Sequence, residues 1–307
     1  MSKFANMDSG DSIYFERELE HVKSKTYDIK YPEIMYRKVL PISSEVSNSA
    51  KTITYRQFDM LGHAKLIHNY ANDLPVVNVK AKEFTSKVYS EGVSFGYSIQ
   101  DIRESKAEGK ALDSKLAAAA RRSIELLTND LAFYGDEDTD LQAFFNNANV
   151  NYYTVPADGT GSSKTWASKT PDLILRDINH AAMMVRTVTK ATEYVDTLIL
   201  PDEQYGHIAT TPRSSTSDTT ILEFLLKTSP WIKTVMPCYE LKAAGSAGVD
   251  IGIMFHKSSE KLELEIPQPF EMFAPQEKGM YYEVACHARI GGVLIYYPKS
   301  IVQMDGI

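Results

Sequence analysis

Residues 112–134, LDSKLAAAARRSIELLTNDLAFY, decide the fold of this 307-residue chain. Apolar residues recur here at steps of three and four and so share one face of a helix: Leu112, Leu116, Ala120, Ile124, Leu127, Leu131 and Tyr134. The opposite face is polar and carries Arg121, Arg122, Glu125 and Asn129. Asp113 or Ser114 can cap the start, and Gly135 provides the stop. At 1.5 Å per residue, this spine helix is about 33 Å long.

A strand far along the chain matches the spine helix in length. Residues 280–290 alternate, with one face made of Met280, Tyr282, Val284, Cys286, Ala288 and Ile290. Such a strand reaches about 36 Å, so we expect it to lie beside the spine helix. Helices and strands of this kind predict the α+β class.

The composition limits the possible functions. Hydrophobic residues make up 43% of the chain, and the net charge of −7 disfavours broad binding to nucleic-acid phosphates. No apolar run approaches the ~20 residues of a membrane span, and the first residues show no secretory signal. Cys238 and Cys286 are the only cysteines, so we expect folding in a reducing cytoplasm.

The first 92 residues predict two segments that do not form a core alone. Residues 1–50 are typical of an arm that embraces a neighbour, or of a frayed tail. Residues 51–89 contain two alternating strands joined by a long excursion at 59–82. A two-stranded flap is marginal alone in water, so we expect it to pack on another subunit.

The remaining residues predict short helices and strands. Helix starts are expected at Ser98 with Asp101, at Thr170 with Pro171, at Pro201 and at Asp218. A buried turn is expected at 141–145, and strands at 93–99, 194–200, 234–236, 250–255, 261–266 and 293–297.

No stretch carries a complete catalytic, cofactor or metal motif. GTGSSKT at 159–165 ends like a phosphate-binding loop but lacks the two required glycines. Asp136, Asp138 and Asp140 have calcium-loop spacing, but Leu141 stands where that loop needs glycine. We therefore predict no enzyme, no cofactor and no metal. The competing hypothesis is a cytoplasmic hydrolase that holds a metal at this acidic cluster.

The order of these elements resembles the major capsid proteins of tailed bacteriophages, whose Hong Kong phage-type capsid fold also occurs in encapsulins. The resemblance covers nearly the whole chain. It rests on the spine helix and on the strings ANDLPVV at 71–77, SIQDI at 98–102 and LQAFFNNANV at 141–150. TLILPDEQYGHIA at 197–209 is similar to the family's axial strand and helix, and residues 261–304 to its long peripheral strands and closing axial strand.

The resemblance implies a phage major-capsid fold in four parts. They are an N-terminal arm at 1–50, an extended β-hairpin loop at 51–92, a peripheral domain with the spine helix at 93–155 and 258–290, and an axial α/β domain at 156–257 and 291–307. Because the chain starts directly with the arm, a separate scaffold protein, or none, is expected.

The implied function is a major capsid protein that self-assembles through pentamers and hexamers into the icosahedral head shell of a tailed phage. Such a shell encloses double-stranded DNA without sequence-specific binding, and no membrane is involved. Portal and decoration proteins are further expected partners. Assembly is expected in the host cytoplasm, and the final location is the virion. An encapsulin-like nanocompartment shell is the alternative with the same fold.

Subunit contacts are expected in the arm, the flap and the polar face of the spine helix, at Tyr14, Phe15, Tyr55, Lys65, His68, Tyr70, Arg121, Arg122 and Glu125. Some relatives cross-link a loop lysine to an asparagine of a neighbour. Lys65 and Asn146 or Asn147 lie in the matching segments, but no activating acid can be placed, so no crosslink is predicted.

We expect deletion of residues 1–45, or of the loop tip at 62–72, to impair assembly while the subunit stays folded. Light scattering measures assembly, and circular dichroism measures folding. Global unfolding after the loop-tip deletion would contradict the assignment of the flap.

Overall fold

The computed structural model describes residues 29–66, 74–108, 112–136, 138–139, 141–216, 218–245 and 248–307. The chain divides into the units Met1–Glu33 and Ile34–Ile307, and the elements below belong to the second. The helices are α1 (Tyr36–Val39), α2 (Ile99–Glu108), α3 (Leu112–Phe133), α4 (Pro171–Val188), α5 (Asp202–Thr210) and α6 (Ile221–Thr228). Three-residue 3₁₀ helices lie at Trp166–Ser168, Tyr239–Leu241 and Pro298–Ser300.

The strands confirm the mixed α+β class. They are β1 (Ile42–Ser43), β2 (Thr52–Leu61), β3 (Asn78–Lys87), β4 (Tyr89–Ser98), β5 (Asn151–Thr154), β6 (Thr197–Leu200), β7 (Thr234–Pro237), β8 (Ile251–Phe255), β9 (Leu262–Glu265), β10 (Gln268–Met272), β11 (Gln276–Lys278), β12 (Tyr281–Ile290), β13 (Gly292–Ile295) and β14 (Val302–Asp305).

The spine helix is α3, and it lies against the long strand as predicted. Strand β12 pairs antiparallel with β4 along its whole length, and α3 covers one face of this pair. The hydrophobic cluster between them consists of Ala120, Ile124, Val284, Cys286 and Ala288, with Val93, Phe95, Tyr97 and Phe270 at its margin. Small alanines on the helix and strand allow this close approach.

The pattern predicts where the spine helix ends but not the burial of every residue in its C-terminal half. Gly135 follows the helix with a φ of +74°, the left-handed conformation expected at a helix end. Leu127 and Tyr134 were expected on the apolar face but are 43% and 47% exposed. Asn129, expected on the polar face, is buried. Residues distant in sequence cover that side, which a single-face pattern cannot show.

The expected helix starts agree with the structure except at α6 and at the spine helix. Helix α3 begins at Leu112, so Asp113 and Ser114 lie within its first turn and the expected cap there is wrong. Ser98 and Asp101 cap α2 reciprocally: the Ser98 N–H donates to Asp101 Oδ2 at 2.8 Å, and the Asp101 N–H donates to Ser98 Oγ at 3.1 Å. Helix α6 is capped by Thr220, whose Oγ1 accepts the Glu223 N–H at 3.2 Å. The expected cap at Asp218 is therefore wrong, because Thr220 lies immediately before the first helical residue.

A five-stranded sheet in the order β5-β14-β8-β6-β7 forms the second large layer of the fold. Helix α4 packs on it and begins at Pro171, as predicted. Its buried face holds Ile174, Ile178, Ala181 and Val185, whereas Val188, expected on the same face, is half exposed at the helix end. The predicted buried turn after the spine helix is also present, since Leu141 and Phe144 lie in the core.

The segment after Glu33 is part of the chain's own core. Met35, Tyr36, Val39 and Leu40 are buried in the main hydrophobic cluster, and β1 pairs in parallel with β9. The expectation that residues 1–45 can be removed without unfolding is therefore wrong for residues 34–45. A deletion that spares this core ends at residue 33.

The flap is the antiparallel hairpin β2–β3, paired from Thr52 opposite Lys87 to Leu61 opposite Asn78. Its strands extend further than the sequence predicts, so the excursion between them is shorter. The hairpin is a separate two-stranded sheet, while β1, β9 and β13 form a three-stranded sheet beside its base.

One buried amide joins three segments that are far apart in sequence. The Asn129 Oδ1 of the spine helix accepts the backbone N–H groups of Met35 and Tyr36, both at 3.1 Å. Its Nδ2 donates to Glu240 Oε1 at 2.8 Å, in the 3₁₀ helix that follows β7. The Tyr134 hydroxyl also donates to the Glu240 carbonyl at 2.6 Å. The spine helix thus holds both α1 and the loop of the five-stranded sheet.

We expect Asn129→Ala to lower the free energy of unfolding by about 2–4 kcal/mol, because it leaves buried N–H groups and the Glu240 carboxylate without their partner. Urea denaturation measures the change. Ser123→Ala is the control on the same helix, because its exposed hydroxyl donates within the helix turn, to the Ala119 carbonyl. It should change stability by less than about 0.5 kcal/mol. Equal losses in both variants would contradict the role of Asn129.

Candidate assembly surfaces

The base of the flap is anchored to the body of the chain. Tyr55 stacks on Phe84 across the hairpin, with ring centroids 5.1 Å apart, and meets Tyr296 edge-on at 4.9 Å. Ile53 is buried with Leu294 of β13. These contacts fix the direction in which the hairpin leaves the body. Tyr55, an expected interface residue, thus has a structural role at this base.

The outer end of the flap, here called the flap tip, comprises the described residues 58–66 and 74–79. Large apolar side chains are exposed throughout it: Phe58, Met60, Leu61, Leu66, Leu74, Val76, Val77 and Val79. Leu66 is 95% exposed and Val76 is 89% exposed. A group of this size on one projecting element is typical of a surface that another protein covers.

The flap also differs in charge from the rest of the chain. Residues 51–66 and 74–87 carry six cationic side chains and two acidic ones, in a chain whose net charge is −7. Arg56 and Glu83 pair across the strands at 2.7 Å, and Lys82 lies over the Phe84 ring. The flap is therefore a basic, apolar element on an acidic protein.

The polar face of the spine helix is partly occupied by the chain itself. Glu125 accepts the Tyr36 hydroxyl at 2.6 Å and the Arg37 guanidinium at 2.7 Å. Burial opposes its charge, but the bonds from Arg37 and Tyr36 outweigh burial and hold the pKa of Glu125 below its usual value. Arg121 is mostly exposed, with its Nε 4.0 Å from Glu125. Arg122 is half-buried.

The other expected contact residues are only partly covered by the structure. Tyr14, Phe15, His68 and Tyr70 lie outside the described residues, and Lys65 lies in the flap tip. The interface roles of all nine residues stay predictions. Of the two asparagines considered for a crosslink, Asn146 stabilises its own turn: its Oδ1 accepts the Ala143 N–H at 2.8 Å.

Sequence reasoning missed a cavity of about 210 Å³ between α1, the spine helix and the sheet of β4 and β12. Glu91 of β4 lines it and is only 4% exposed. Its Oε2 accepts the Thr128 hydroxyl at 2.9 Å, while its Oε1 has no hydrogen-bond partner among the described residues. The signal was present in the sequence, because Glu91 shares the alternation of the inward-facing Val93 and Phe95.

Burial raises the pKa of Glu91 to about 7; the Thr128 hydrogen bond opposes this rise, and the charge of Glu125 adds to it. Glu91 therefore exchanges its proton near neutral pH, unlike an ordinary surface glutamate.

The motifs examined for chemistry form no site in the described residues. The 159–165 loop is followed by the 3₁₀ helix Trp166–Ser168, not by the helix that a phosphate-binding loop requires. Asp140 of the acidic cluster lies outside the described part of the chain. Within that part, no group of three or more His, Cys, Asp or Glu residues is arranged to hold a metal.

None of the described helices has the length and apolar character needed to cross a bilayer.

An ion cluster around the buried Lys169 and Asp177 links the loop before α4 to that helix. The Lys169 ammonium, inaccessible to solvent, lies 2.7 Å from Asp177 and 2.9 Å from Asp158. Arg176 also pairs with Asp177, at 2.8 Å. The two cations and two carboxylates balance in charge, and their ion pairs join the loop that contains Asp158 to helix α4.

Solved structures with the same fold include a phage capsid and a virus-like particle. The chain is similar to the capsid of Myoviridae phage XM1, with a TM-score of 0.83 and 16% identity over 96% of this chain and 99% of that one. Mycobacterium phage Bobi gives a TM-score of 0.63 at 13% identity, over 93% and 94% of the two chains. A virus-like particle from Pyrococcus furiosus gives 0.51 at 13% identity, over 87% and 90%. No curated protein matches the chain.

A long helix on a long strand pair, with a projecting hairpin, defines the class of shell-forming proteins with the phage capsid fold. The family model for the major capsid protein matches residues 62–307. The chain belongs to the major capsid protein family, and it is a structural subunit of a phage head shell.

We expect the stability of Glu91→Gln to differ from that of the wild type in a pH-dependent way. Between pH 4.5 and 7 the folded chain keeps a proton that the unfolded chain has released, so wild-type stability falls as the pH rises. Glu91→Gln has no such proton to lose, so its free energy of unfolding does not fall in this way. Relative to the wild type, its free energy of unfolding should rise by up to about 3 kcal/mol between pH 4 and pH 8. Thermal denaturation across this range measures the difference; parallel pH profiles would contradict it.

Proposed function

We propose that copies of this chain assemble as pentamers and hexamers into a closed shell, and that the flap tip docks on a neighbouring copy. The observation that carries the proposal is the group of eight exposed, large apolar side chains on the flap tip. A two-stranded hairpin has no second layer of its own to cover them. A neighbouring subunit supplies that layer.

The energetics favour this arrangement. Burial of one large apolar side chain stabilises a contact by about 1.5–3 kcal/mol, and several of them together exceed the entropy cost of association. Closed symmetry repeats the same contact around the shell, so a modest contact per subunit is sufficient. The basic flap further favours an acidic neighbouring surface, and the chain is acidic overall.

The remaining interface assignments extend this proposal. Tyr14, Phe15, Lys65, His68 and Tyr70 would contact neighbours through the arm and the flap. On the spine helix, Arg121 and Arg122 are better placed for this than Glu125, which Arg37 holds within the chain. A charge reversal at Arg121 should therefore disturb assembly more than folding.

The division into arm, flap, peripheral and axial domains belongs to the same proposal. The shell would enclose double-stranded DNA without reading its sequence, since the net charge of −7 disfavours broad binding to phosphates. A scaffold protein, a portal and decoration proteins would be its partners, with assembly in the host cytoplasm. Catalysis has no part in this role. The family match favours a phage head over an encapsulin-like compartment, and no described residue arrangement supports a metal-dependent hydrolase.

We expect Val76→Asp to reduce assembly at least tenfold, because it places a charge in the apolar contact, while the folded subunit keeps its stability. Sedimentation velocity measures assembly, and thermal denaturation measures stability. Val188→Asp is the matched control, because Val188 is also exposed but lies at the end of α4, outside the flap.

The two variants separate the flap contact from a general effect of charge. Normal assembly of Val76→Asp would contradict docking of the flap tip. An equal defect in both variants would show that added negative charge, and not the flap, limits assembly.

A further inference from the structure

The cavity beside Glu91 has the features of a binding site. It reaches the surface, because the half-exposed Arg37 and Ile42 line it together with the buried Glu91. A water takes about 30 Å³ of liquid volume, so a cavity of about 210 Å³ is large enough for an extended side chain. Ile124, Phe270 and others give the cavity apolar walls. An apolar stem with a charged end fits such a space.

The groups around Glu91 do not neutralise it within the described part of the chain. Four other titratable or charged residues line the cavity, namely Tyr36 and Arg37 of the α1 segment, Glu125 of the spine helix and Arg289 of β12. Arg37 and Tyr36 both bind Glu125. Arg289 donates its two terminal nitrogens to the backbone carbonyls of Asn48 and Ala50. The Glu91 carboxylate thus lacks a counter-charge.

We propose that the cavity receives a lysine or arginine side chain from a neighbouring copy of the chain, whose charged end pairs with Glu91. The inference rests on the proposed assembly and names one contact within it. Charge complementarity supports a second copy as the source, because the flap presents exposed lysines, among them Lys80 and Lys82. Their long apolar stems match the apolar walls of the cavity.

This pairing makes association sensitive to pH. In the free subunit Glu91 holds a proton below about pH 7, and a cation pairs only with the ionised carboxylate. Formation of each such contact therefore releases a proton, and the association constant of the contact rises about tenfold between pH 6 and pH 8. The Thr128 hydrogen bond lowers the pKa of Glu91. Removing this bond should therefore raise that pKa and move the increase in association to higher pH.

The test is the critical concentration for assembly of the full chain, measured by light scattering at half-unit steps from pH 5.5 to pH 8.5. The wild type should assemble at about tenfold lower concentration at pH 8 than at pH 6. Glu91→Gln should lose this change and assemble more weakly than the wild type at pH 8. Thr128→Val should shift the transition upwards by at least half a pH unit. Glu104→Gln, at an exposed position of α2, is the control and should follow the wild type.

Identical pH profiles for the wild type and Glu91→Gln would overturn the proposal. So would a density map of the assembled shell in which the cavity holds only water and no lysine or arginine lies within 4 Å of Glu91. If Glu91→Gln assembles more tightly than the wild type at pH 8, the Glu91 carboxylate has no cation as a partner in the assembly, and the proposal is wrong. Failure of every protein, wild type included, to assemble would overturn the proposed function as well.

Discussion

The fold depends on the hydrogen bonds of one buried amide, that of Asn129. Its oxygen accepts two backbone N–H groups of α1 and its nitrogen donates to Glu240, so the spine helix holds the start and the middle of the chain at once. An amide suits this position, because it accepts and donates at opposite ends without a charge to bury. The long helix thereby fixes the distance between the strand pair β4–β12 and the loop beside the five-stranded sheet.

The flap differs from this core, because the apolar side chains of its outer part are not buried within the subunit. Its base is locked by Tyr55, Phe84 and Tyr296, whereas its tip exposes apolar side chains that no described segment covers. Because the base is held on the body, the exposed apolar surface of the tip faces one direction. In the proposed shell, this arrangement would hold the tip in one orientation toward a neighbouring subunit.

The sequence predicted best where a short-range pattern determines the structure. The spine helix, the long strand Tyr281–Ile290 and the reciprocal cap of Ser98 and Asp101 follow from spacing alone. It failed where distant segments decide. Tyr36 and Leu40 look like part of a solvated arm, but they are buried because the spine helix and β9 provide their surroundings. The alternation places Glu91 on the inward face with Val93 and Phe95, but the cavity around its carboxylate is formed by distant segments and cannot be predicted from that spacing.

We propose that the exposed apolar side chains of the flap tip are covered only when copies of this chain assemble. The most direct measurement is the particle size of the purified protein at increasing concentration, by light scattering with negative-stain electron microscopy. The account predicts closed shells, tubes, or rings of five or six subunits. A monomer that persists at high concentration, even with a scaffold protein supplied, would contradict it.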